Sequence, residues 1–308
     1  MAHLTWLEAI VIGGLQGVAE LFPVSSLGHS ILIPALVGGS WARDLDVSAP
    51  ESPYLAFVVG LHVATAVALI VYFRRDWLRI VRGLVTSTVR REVTDPDQRL
   101  AWLLVLATIP VGISGLLLEH VFRVYLSKPI PTSAFLALNG LALLWAERRR
   151  RRGDGGSDGP APGRPAASPG TVRAEDAADL RLSRLAINRA VLVGAAQIAA
   201  LAPGISRSGA AMVAGLRTGL SHTDAARFSF LLATPVILAA GVLKLGDLAG
   251  PLGDGVRPQI LAGSLLSGVG AYLSVRFLTR YFETRSLRPF GIYCLIVGLG
   301  SLTWFVAR

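Results

Sequence analysis

Residues 4–37 decide the fold, and they read LTWLEAIVIGGLQGVAELFPVSSLGHSILIPALV. The stretch is apolar almost throughout, but it is too long for one membrane span, since a spanning helix needs about 20 residues. Pro23 interrupts it near the middle, and a proline breaks a helix interior because it lacks the N–H and clashes with the preceding turn. The stretch therefore predicts a re-entrant hairpin, in which a helix enters the membrane, breaks and turns back.

A second stretch, residues 186–216, has the same design and reads AINRAVLVGAAQIAALAPGISRSGAAMVAGL. A glutamine precedes the central proline by six or seven residues, and a serine follows the proline by three. The matched residues are Gln16, Pro23 and Ser26 in the first stretch and Gln197, Pro203 and Ser206 in the second. We interpret this shared spacing as an internal repeat rather than a chance similarity of two apolar helices.

The composition of the 308-residue chain is typical of a membrane protein. Charged residues make up 16% of the chain and apolar residues 52%, whereas soluble domains carry about 25% charge. Cys294 is the only cysteine, which excludes an intrachain disulfide framework. The net charge of +10 comes from arginines that cluster between apolar runs, as in cytoplasmic loops. We therefore expect the membrane bilayer, and no nucleic acid, as the partner.

Six further apolar runs have the character of membrane spans. They are residues 54–73, 101–118, 130–146, 228–243, 258–275 and 289–307. Three of them follow each hairpin, and because three is odd, the second half has to enter the membrane from the opposite face. In inverted-topology repeats of this kind, the broken helices meet near the bilayer midplane and form the functional site.

The predicted fold class is therefore an all-α polytopic membrane protein with two inverted-topology repeats, each a broken re-entrant helical hairpin plus three transmembrane helices. The first repeat covers residues 1–147 and the second residues 185–308. Glycine, proline and arginine dominate residues 148–184, which predicts a flexible basic linker between the repeats. Arginines are also frequent in residues 74–99 and 276–288, so we expect these three segments in the cytoplasm. The first hairpin then opens to the outer face.

The run of five arginines at residues 148–152 has two interpretations. Basic clusters next to a membrane helix attract anionic lipid. Arginines at this place also anchor the orientation of the preceding span. The sequence favours the topology anchor.

Two charged residues lie deep inside the hairpin stretches. Glu20 is the only formally charged residue between Glu8 and Arg43, and Arg207 is the only one between Arg189 and Arg217. A charge at membrane depth is costly and usually faces a cavity or a partner, which makes both residues functional candidates. The alternative is a structural ion pair that holds the two hairpin tips together.

The segment PGISRSG, residues 203–209, predicts an anion site. Its glycines, Gly204 among them, allow the backbone to approach a ligand closely. Ser206 and Ser208 supply hydroxyl groups, and the planar guanidinium of Arg207 matches phosphate oxygens. The helix that starts after Pro203 points its positive dipole end at the same place. A phosphate group is the anion that this set of donors favours.

The first hairpin supplies the groups that hydrolysis needs. Ser26 and His29 share one face of a helix at i and i+3, so the imidazole can act as a base for the serine hydroxyl or for a water molecule. Glu20 could orient His29, or it could hold a hard cation such as Mg²⁺ or Ca²⁺ that bridges phosphate oxygens. His62 and Asn139 are weaker candidates, since polar side chains in spans often bond a neighbouring helix.

These two segments resemble the integral-membrane undecaprenyl-diphosphate phosphatase family that is linked to bacitracin resistance. QGVAELFPVSSLGH, residues 16–29, resembles the family pattern (E/Q)GxxEFLPVSSxGH, and residues 203–209 resemble PGxSRSGxT. The stretches FSFLLATP, residues 228–235, and LHVATAVALIVYFRRD, residues 61–76, are also similar to family sequences. The resemblance covers nearly the whole chain outside the linker.

The resemblance implies an activity and a location. The family removes one phosphate from undecaprenyl diphosphate and so regenerates the lipid carrier for cell-wall synthesis. It depends on a divalent cation, Mg²⁺ or Ca²⁺, and works at the outer face of the bacterial inner membrane. A homodimer is one assembly that the resemblance allows.

The resemblance also assigns residues. The family's essential positions correspond to Glu20, Ser26, His29 and Arg207, with Gln16, Ser25, Ser206 and Ser208 lining the diphosphate site. Gln16 lies where many members have a second glutamate, which leaves Glu20 as the only carboxylate available for a metal ion. Ala211 replaces the threonine that closes the second motif.

One alternative function belongs to another class of protein. Inverted repeats with broken helices are common in transporters. The same site would then bind a polyprenyl-phosphate lipid for transport across the membrane instead of hydrolysing it. The sequence also leaves open whether Ser26 or water attacks the phosphorus.

Overall fold

The computed structural model of the protein describes residues 4–46, 53–153, 174–243 and 255–308. Every regular element in these ranges is helical. The α-helices are α1 (Trp6–Ala19), α2 (Ser26–Val37), α3 (Gly39–Asp44), α4 (Pro53–Tyr72), α5 (Arg74–Arg90), α6 (Pro96–Val121), α7 (Pro129–Gly153), α8 (Ala174–Ser183), α9 (Ile187–Ala196), α10 (Arg207–Arg217), α11 (His222–Leu243), α12 (Arg257–Thr284) and α13 (Arg288–Val306). A π-helical turn, Phe122–Leu126, follows α6, and a 3₁₀ turn, Gln197–Leu201, follows α9.

The described residues contain five helices that are long and apolar enough to cross a membrane, or up to seven if each of two bent helix pairs counts as one span. The five are α6, α7 and α11 to α13, and each contains one of the predicted apolar runs. The run at residues 54–73 forms α4, which bends by 89° into α5. The multi-pass character expected from the sequence is thus confirmed.

Both interrupted stretches fold as pairs of short helices around a break. In the first, α1 and α2 are separated by a turn over residues 20–25. In the second, α9 and its 3₁₀ extension are separated from α10 by a turn over residues 202–206. None of these short α-helices is long enough to span alone, because a helix rises 1.5 Å per residue and a bilayer core is about 30 Å thick.

Each hairpin packs against a helix of the other half of the chain. Helix α1 lies along α12, where Gly13 contacts the backbone of Gly263 so closely that an added Cβ would lie 2.5 Å from the Gly263 carbonyl oxygen. Helix α9 lies along α6 in the same manner, with Gly194 against the Ala107 carbonyl oxygen. Small residues at such crossings let helix backbones approach closely in lipid.

The predicted linker, residues 148–184, is helical at both of its described ends. Residues 148–153 continue α7, and residues 174–183 form α8, whereas residues 154–173 lie outside the described residues. Helix α8 is held by ion pairs, because the Asp179 carboxylate accepts from Arg227 at 2.7 Å and from Arg79 at 2.8 Å. The first and last residues of the predicted flexible linker are therefore helical.

Candidate active site

The two hairpin tips touch each other inside the helix bundle. An added Cβ on Gly28 would lie 3.0 Å from the Cα atom of Gly204, so only small residues fit at the crossing. Asn139 of α7 links the tips, since its Nδ2 donates to the Pro23 carbonyl at 3.0 Å and its Oδ1 accepts from the Ser206 N–H at 3.1 Å. The structural role that the sequence favoured for Asn139 is thus confirmed.

A serine caps the helix that follows each break. The Ser25 hydroxyl accepts from the N–H of Gly28, and the Ser206 hydroxyl accepts from the N–H of Gly209, each three residues on. Such caps satisfy amide groups that have no partner within the helix. The structural partner of Ser206 is therefore Ser25. Counting three residues from each proline predicts Ser26 instead, and that match is wrong.

The correspondence of the caps places two predicted site residues at equivalent positions. Ser26 is the first residue of α2, and Arg207 is the first residue of α10. Both side chains therefore project from the positive end of a helix. The two halves of the chain contribute a hydroxyl group and a guanidinium group from the same structural position.

Glu20 lies at the centre of the site and contacts both of these residues. Its Oε2 accepts from the Ser26 hydroxyl at 2.5 Å, and its Oε1 accepts from the Arg207 guanidinium at 3.0 Å. The carboxylate and the hydroxyl are buried, with 6% of Glu20 and 8% of Ser26 exposed. The structure thus contains the ion pair between the hairpin tips that the sequence posed as one of the two alternatives.

His62 of α4 completes this group, and the sequence placed it only among the weaker candidates. Its Nε2 lies 3.4 Å from Glu20 Oε2 and 3.2 Å from Gln16 Nε2. Its Nδ1 lies 2.8 Å from the Val58 carbonyl, which fixes the proton on Nδ1 and leaves Nε2 as an acceptor in the neutral ring. The side chain of His62 is 28% exposed.

His29 is directed elsewhere. Its Nδ1 lies 2.7 Å from the Ser25 carbonyl, and its Nε2 lies 2.8 Å from the Tyr293 hydroxyl. Its hydrogen bonds thus go to the turn and to α13 and, among the described contacts, not to Ser26. Ser25 has a positive φ of 68°, which is costly for a residue with a Cβ atom. The bond from His29 helps to hold this strained turn.

The remaining predicted residues divide between the site and its scaffold. Gln16 lines the site, because its Nε2 donates to Glu20 Oε2 at 2.9 Å. The hydroxyls of Ser206 and Ser208 lie 3.4 Å and 3.3 Å from the Phe22 carbonyl, so they tie the second hairpin to the first. Gly204, with a φ of 108°, packs against the backbone of α7.

The fit of a divalent cation depends on Gln16 and Glu20. No group of three or more histidine, cysteine, aspartate or glutamate side chains gathers as a metal site in the described ranges. Gln16 Oε1, however, is buried without a hydrogen-bond partner. In the opposite amide orientation, this oxygen would face the negatively charged Glu20 carboxylate. The repulsion between the oxygens disfavours that orientation. An amide oxygen and a carboxylate suit a hard cation that takes its other ligands from phosphate and water.

Comparison with known proteins identifies the family of the chain. The family profile described as "Bacitracin resistance protein BacA" matches residues 9–300. The undecaprenyl-diphosphatase of Mycolicibacterium paratuberculosis is 60% identical over 307 residues, which cover 100% of this chain and 99% of that protein. The corresponding protein of Mycobacterium avium is 59% identical over the same shares, and undecaprenyl-diphosphatase 2 of Chromobacterium violaceum is 42% identical over 96% of this chain and 97% of its own. The chain therefore belongs to the bacitracin resistance protein BacA family.

Proposed function

We propose that this protein is an undecaprenyl-diphosphatase, which hydrolyses undecaprenyl diphosphate to undecaprenyl phosphate and inorganic phosphate. The observation that carries this proposal is the contact of the Ser26 hydroxyl with Glu20 at 2.5 Å, opposite the Arg207 guanidinium on the same carboxylate. A hydroxyl next to a base and a guanidinium fork is a phosphoryl-transfer constellation. The full-length similarity to named undecaprenyl-diphosphatases supports the substrate.

Ser26 is the nucleophile in this proposal. Its Oγ attacks the terminal phosphorus and forms a phosphoserine, while the bond from that phosphorus to the bridging oxygen breaks and undecaprenyl phosphate leaves. The hydroxyl proton passes to Glu20 Oε2, the nearest base. Water then attacks the phosphoserine, Ser26 takes a proton back, and inorganic phosphate is released. Glu20 thus takes the role of base that the spacing in the sequence suggested for His29.

His62 accepts the proton from Glu20 between the two steps of the reaction. The Gln16 amide lies within donating distance of both Glu20 Oε2 and His62 Nε2, so it brings the carboxylate and the imidazole together. From 3.4 Å, Nε2 can accept the proton that Glu20 received and restore the carboxylate. His29 is a positioning residue here, because it contacts the Ser25 turn that holds Ser26.

Arg207 binds the diphosphate. Its guanidinium group exchanges part of its contact with Glu20 for the phosphate oxygens, which gain negative charge as the bridging bond breaks. The positive ends of α2 and α10 face the same volume and add to this field. Ser206 and Ser208 act through the scaffold, since their hydroxyls bond the Phe22 carbonyl.

Glu20 and Gln16 Oε1 would hold a divalent cation, Mg²⁺ or Ca²⁺, together with the substrate. When bound, the cation would neutralise charge on the diphosphate oxygens. Gln16 in place of a carboxylate gives the site a single negative ligand, so the substrate's own oxygens are needed to complete the coordination.

The packing supports the two inverted repeats, and the arginine-rich segments support an opening of the catalytic tip to the outer face. In both halves a hairpin helix lies against the second span of the other half, α1 on α12 and α9 on α6. Cysteines at Ala42 and Val93 test the topology. We expect an impermeant thiol reagent to label Ala42→Cys on intact cells and Val93→Cys only after permeabilisation. The buried Cys294 is the unreactive background, and labelling of both sites from one side would contradict the topology.

Phosphate release by purified protein in detergent tests the activity against the alternative of lipid transport. Transport needs two compartments, whereas a phosphatase releases one phosphate per undecaprenyl diphosphate in a micelle. We expect release by the wild-type protein and by Ser30→Ala, a buried serine one turn along α2, but not by Glu20→Gln. Binding of the lipid without phosphate release, with Mg²⁺ or Ca²⁺ present, would favour transport and overturn the proposal.

A further inference from the structure

A basic cleft lies between α7 and the last turn of α10, at the end of the molecule that carries the arginine-rich segments. Its volume is about 200 Å³, and it is lined by Ala146, Arg149, Arg150, Leu216 and Arg217. Arg207 is the first residue of α10 and Arg217 is the last. At a rise of 1.5 Å per residue, the cleft at Arg217 lies about 15 Å from Arg207 in the candidate active site.

The charge around the cleft is strongly positive. Three of its lining side chains are guanidinium groups, and Arg150 also contacts His222. Glu147 is the acidic residue next to it on α7, but its Oε1 is already engaged by His222 Nε2 at 2.5 Å and by the Leu287 N–H at 2.8 Å. The cleft therefore favours an anionic ligand.

Trp145 brings two of the arginines together. The Arg217 guanidinium lies 4.6 Å from the centroid of this ring, and that of Arg149 lies 5.8 Å from it. The tryptophan is 42% exposed, and tryptophan in membrane proteins is enriched at the level of the lipid headgroups. One arginine comes from each half of the chain, so the arrangement is not a property of the arginine run alone.

An apolar stripe leads along α7 into the cleft. Leu138 and Leu141 are exposed on the helix face that continues through Trp145 to Arg149, at spacings of three and four residues. An apolar column that ends in an aromatic ring and a guanidinium pair matches a phospholipid, whose acyl chains adjoin a phosphate.

We propose that this cleft binds the headgroup of an anionic phospholipid, with the phosphodiester between Arg149 and Arg217 and the acyl chains along Leu138 and Leu141. Guanidinium forks bind phosphate oxygens in pairs, which a phosphodiester can accept. A topology anchor would need only charge next to α7. In the cleft, Arg217 of α10 also lies over the ring of Trp145, which is exposed on α7.

Lipid retention by the full-length protein tests this site without any substrate. Purified protein is mixed with detergent micelles that contain phosphatidylglycerol or phosphatidylcholine, and bound lipid is counted by native mass spectrometry. The test variant is Arg149→Gln with Arg217→Gln. The matched control is Arg276→Gln with Arg280→Gln, which removes the same charge from exposed positions of α12, outside the cleft.

We expect the wild-type protein and the control to retain phosphatidylglycerol in preference to phosphatidylcholine, and the test variant to bind it about tenfold to thirtyfold more weakly. Unchanged phosphate release by the test variant shows that it is folded and keeps this result separate from the proposed activity. Equal losses in both double variants would overturn the site, because charge alone would then explain retention. Displacement of the lipid by millimolar inorganic phosphate would identify a free-anion site and overturn the lipid assignment.

Discussion

The two hairpins share a scaffold and differ in chemistry. Ser25 and Ser206 cap α2 and α10 in the same manner, and Gly28 and Gly209 are the amides that they cap. The next residue after each cap is Ser26 in the first hairpin and Arg207 in the second. The shared cap fixes where a side chain projects, and in the proposed mechanism the residue at that position decides whether it attacks or binds the substrate.

The difference extends to the helix that enters each tip. Glu20 follows the last residue of α1 and lies five residues before the cap Ser25, whereas Leu201, five residues before the cap Ser206, ends the 3₁₀ turn of the second hairpin. In the proposed mechanism, only the first hairpin therefore supplies a base, and only the second supplies a fixed positive charge. The strain also differs, because the first turn places its positive φ on Ser25 and the second places it on Gly204.

Removal of the nucleophile should give the largest effect. We expect Ser26→Ala to lower the rate by about 10⁴-fold or more, since covalent catalysis is lost, while Ser25→Ala loses only a cap, worth about 1 kcal/mol of stability. Phosphate release by both variants is the measurement, together with acid quenching of the wild-type enzyme to trap phosphoserine. Substantial activity in Ser26→Ala, with no phosphorylated Ser26 after quenching, would mean that water attacks directly.

The equivalent position in the second hairpin should depend on geometry as well as charge. Arg207→Lys keeps the charge but loses the planar fork, and we expect kcat to fall by about 10²-fold to 10³-fold. Arg189→Lys, on an exposed arginine at the start of α9, is the control and should change little. Normal turnover by a folded Arg207→Lys protein would show that a point charge is sufficient.

The two histidines should respond differently to conservative substitutions. We expect His62→Gln to lower kcat by about 10²-fold and to remove one limb of the pH–rate profile. His29→Asn can still donate to the Ser25 carbonyl and should restore much of what His29→Ala loses. The reverse pattern, with the limb lost only in His29→Asn, would assign the proton transfer to His29.

The smallest effects concern the packing of the hairpins on the opposite halves. Gly13→Ala and Gly194→Ala each force a methyl group into a carbonyl oxygen, and overpacking of this kind costs about 1–3 kcal/mol. Gly14 on the same helix has no neighbour within 4 Å of an added Cβ, so Gly14→Ala is the control. Thermal unfolding in detergent gives the comparison. A loss at Gly13 without a loss at Gly194 would break the equivalence of the two hairpins.

The sequence was sufficient for the features that depend on local pattern. Apolar runs, broken by proline, predicted both hairpins and the helices that follow them. Glu20 and Arg207 were predicted as site residues, because a charge inside an apolar stretch is costly and usually faces a cavity or a partner. The contact between them is at 3.0 Å.

Features that depend on packing between distant segments were beyond the sequence. His62 reaches Glu20 from α4, and the spacing of residues within one helix carries no information about that contact. The match of Ser26 with Ser206 was wrong by one residue, because the cap follows Pro23 by two positions and Pro203 by three. Helix α8 at the end of the linker was also missed, since the partners of Asp179, Arg79 and Arg227, lie far away in the chain.

Each hairpin packs against a helix of the other half of the chain, and this has a consequence for biosynthesis. Helix α1 leaves the ribosome long before α12, against which Gly13 packs. The first hairpin therefore has to wait in the membrane, without its native neighbour, until α12 has been translated. A protein that stops after α11 would present an unpacked hairpin to the quality-control proteases, so nonsense mutations late in the reading frame should remove the protein as well as its activity.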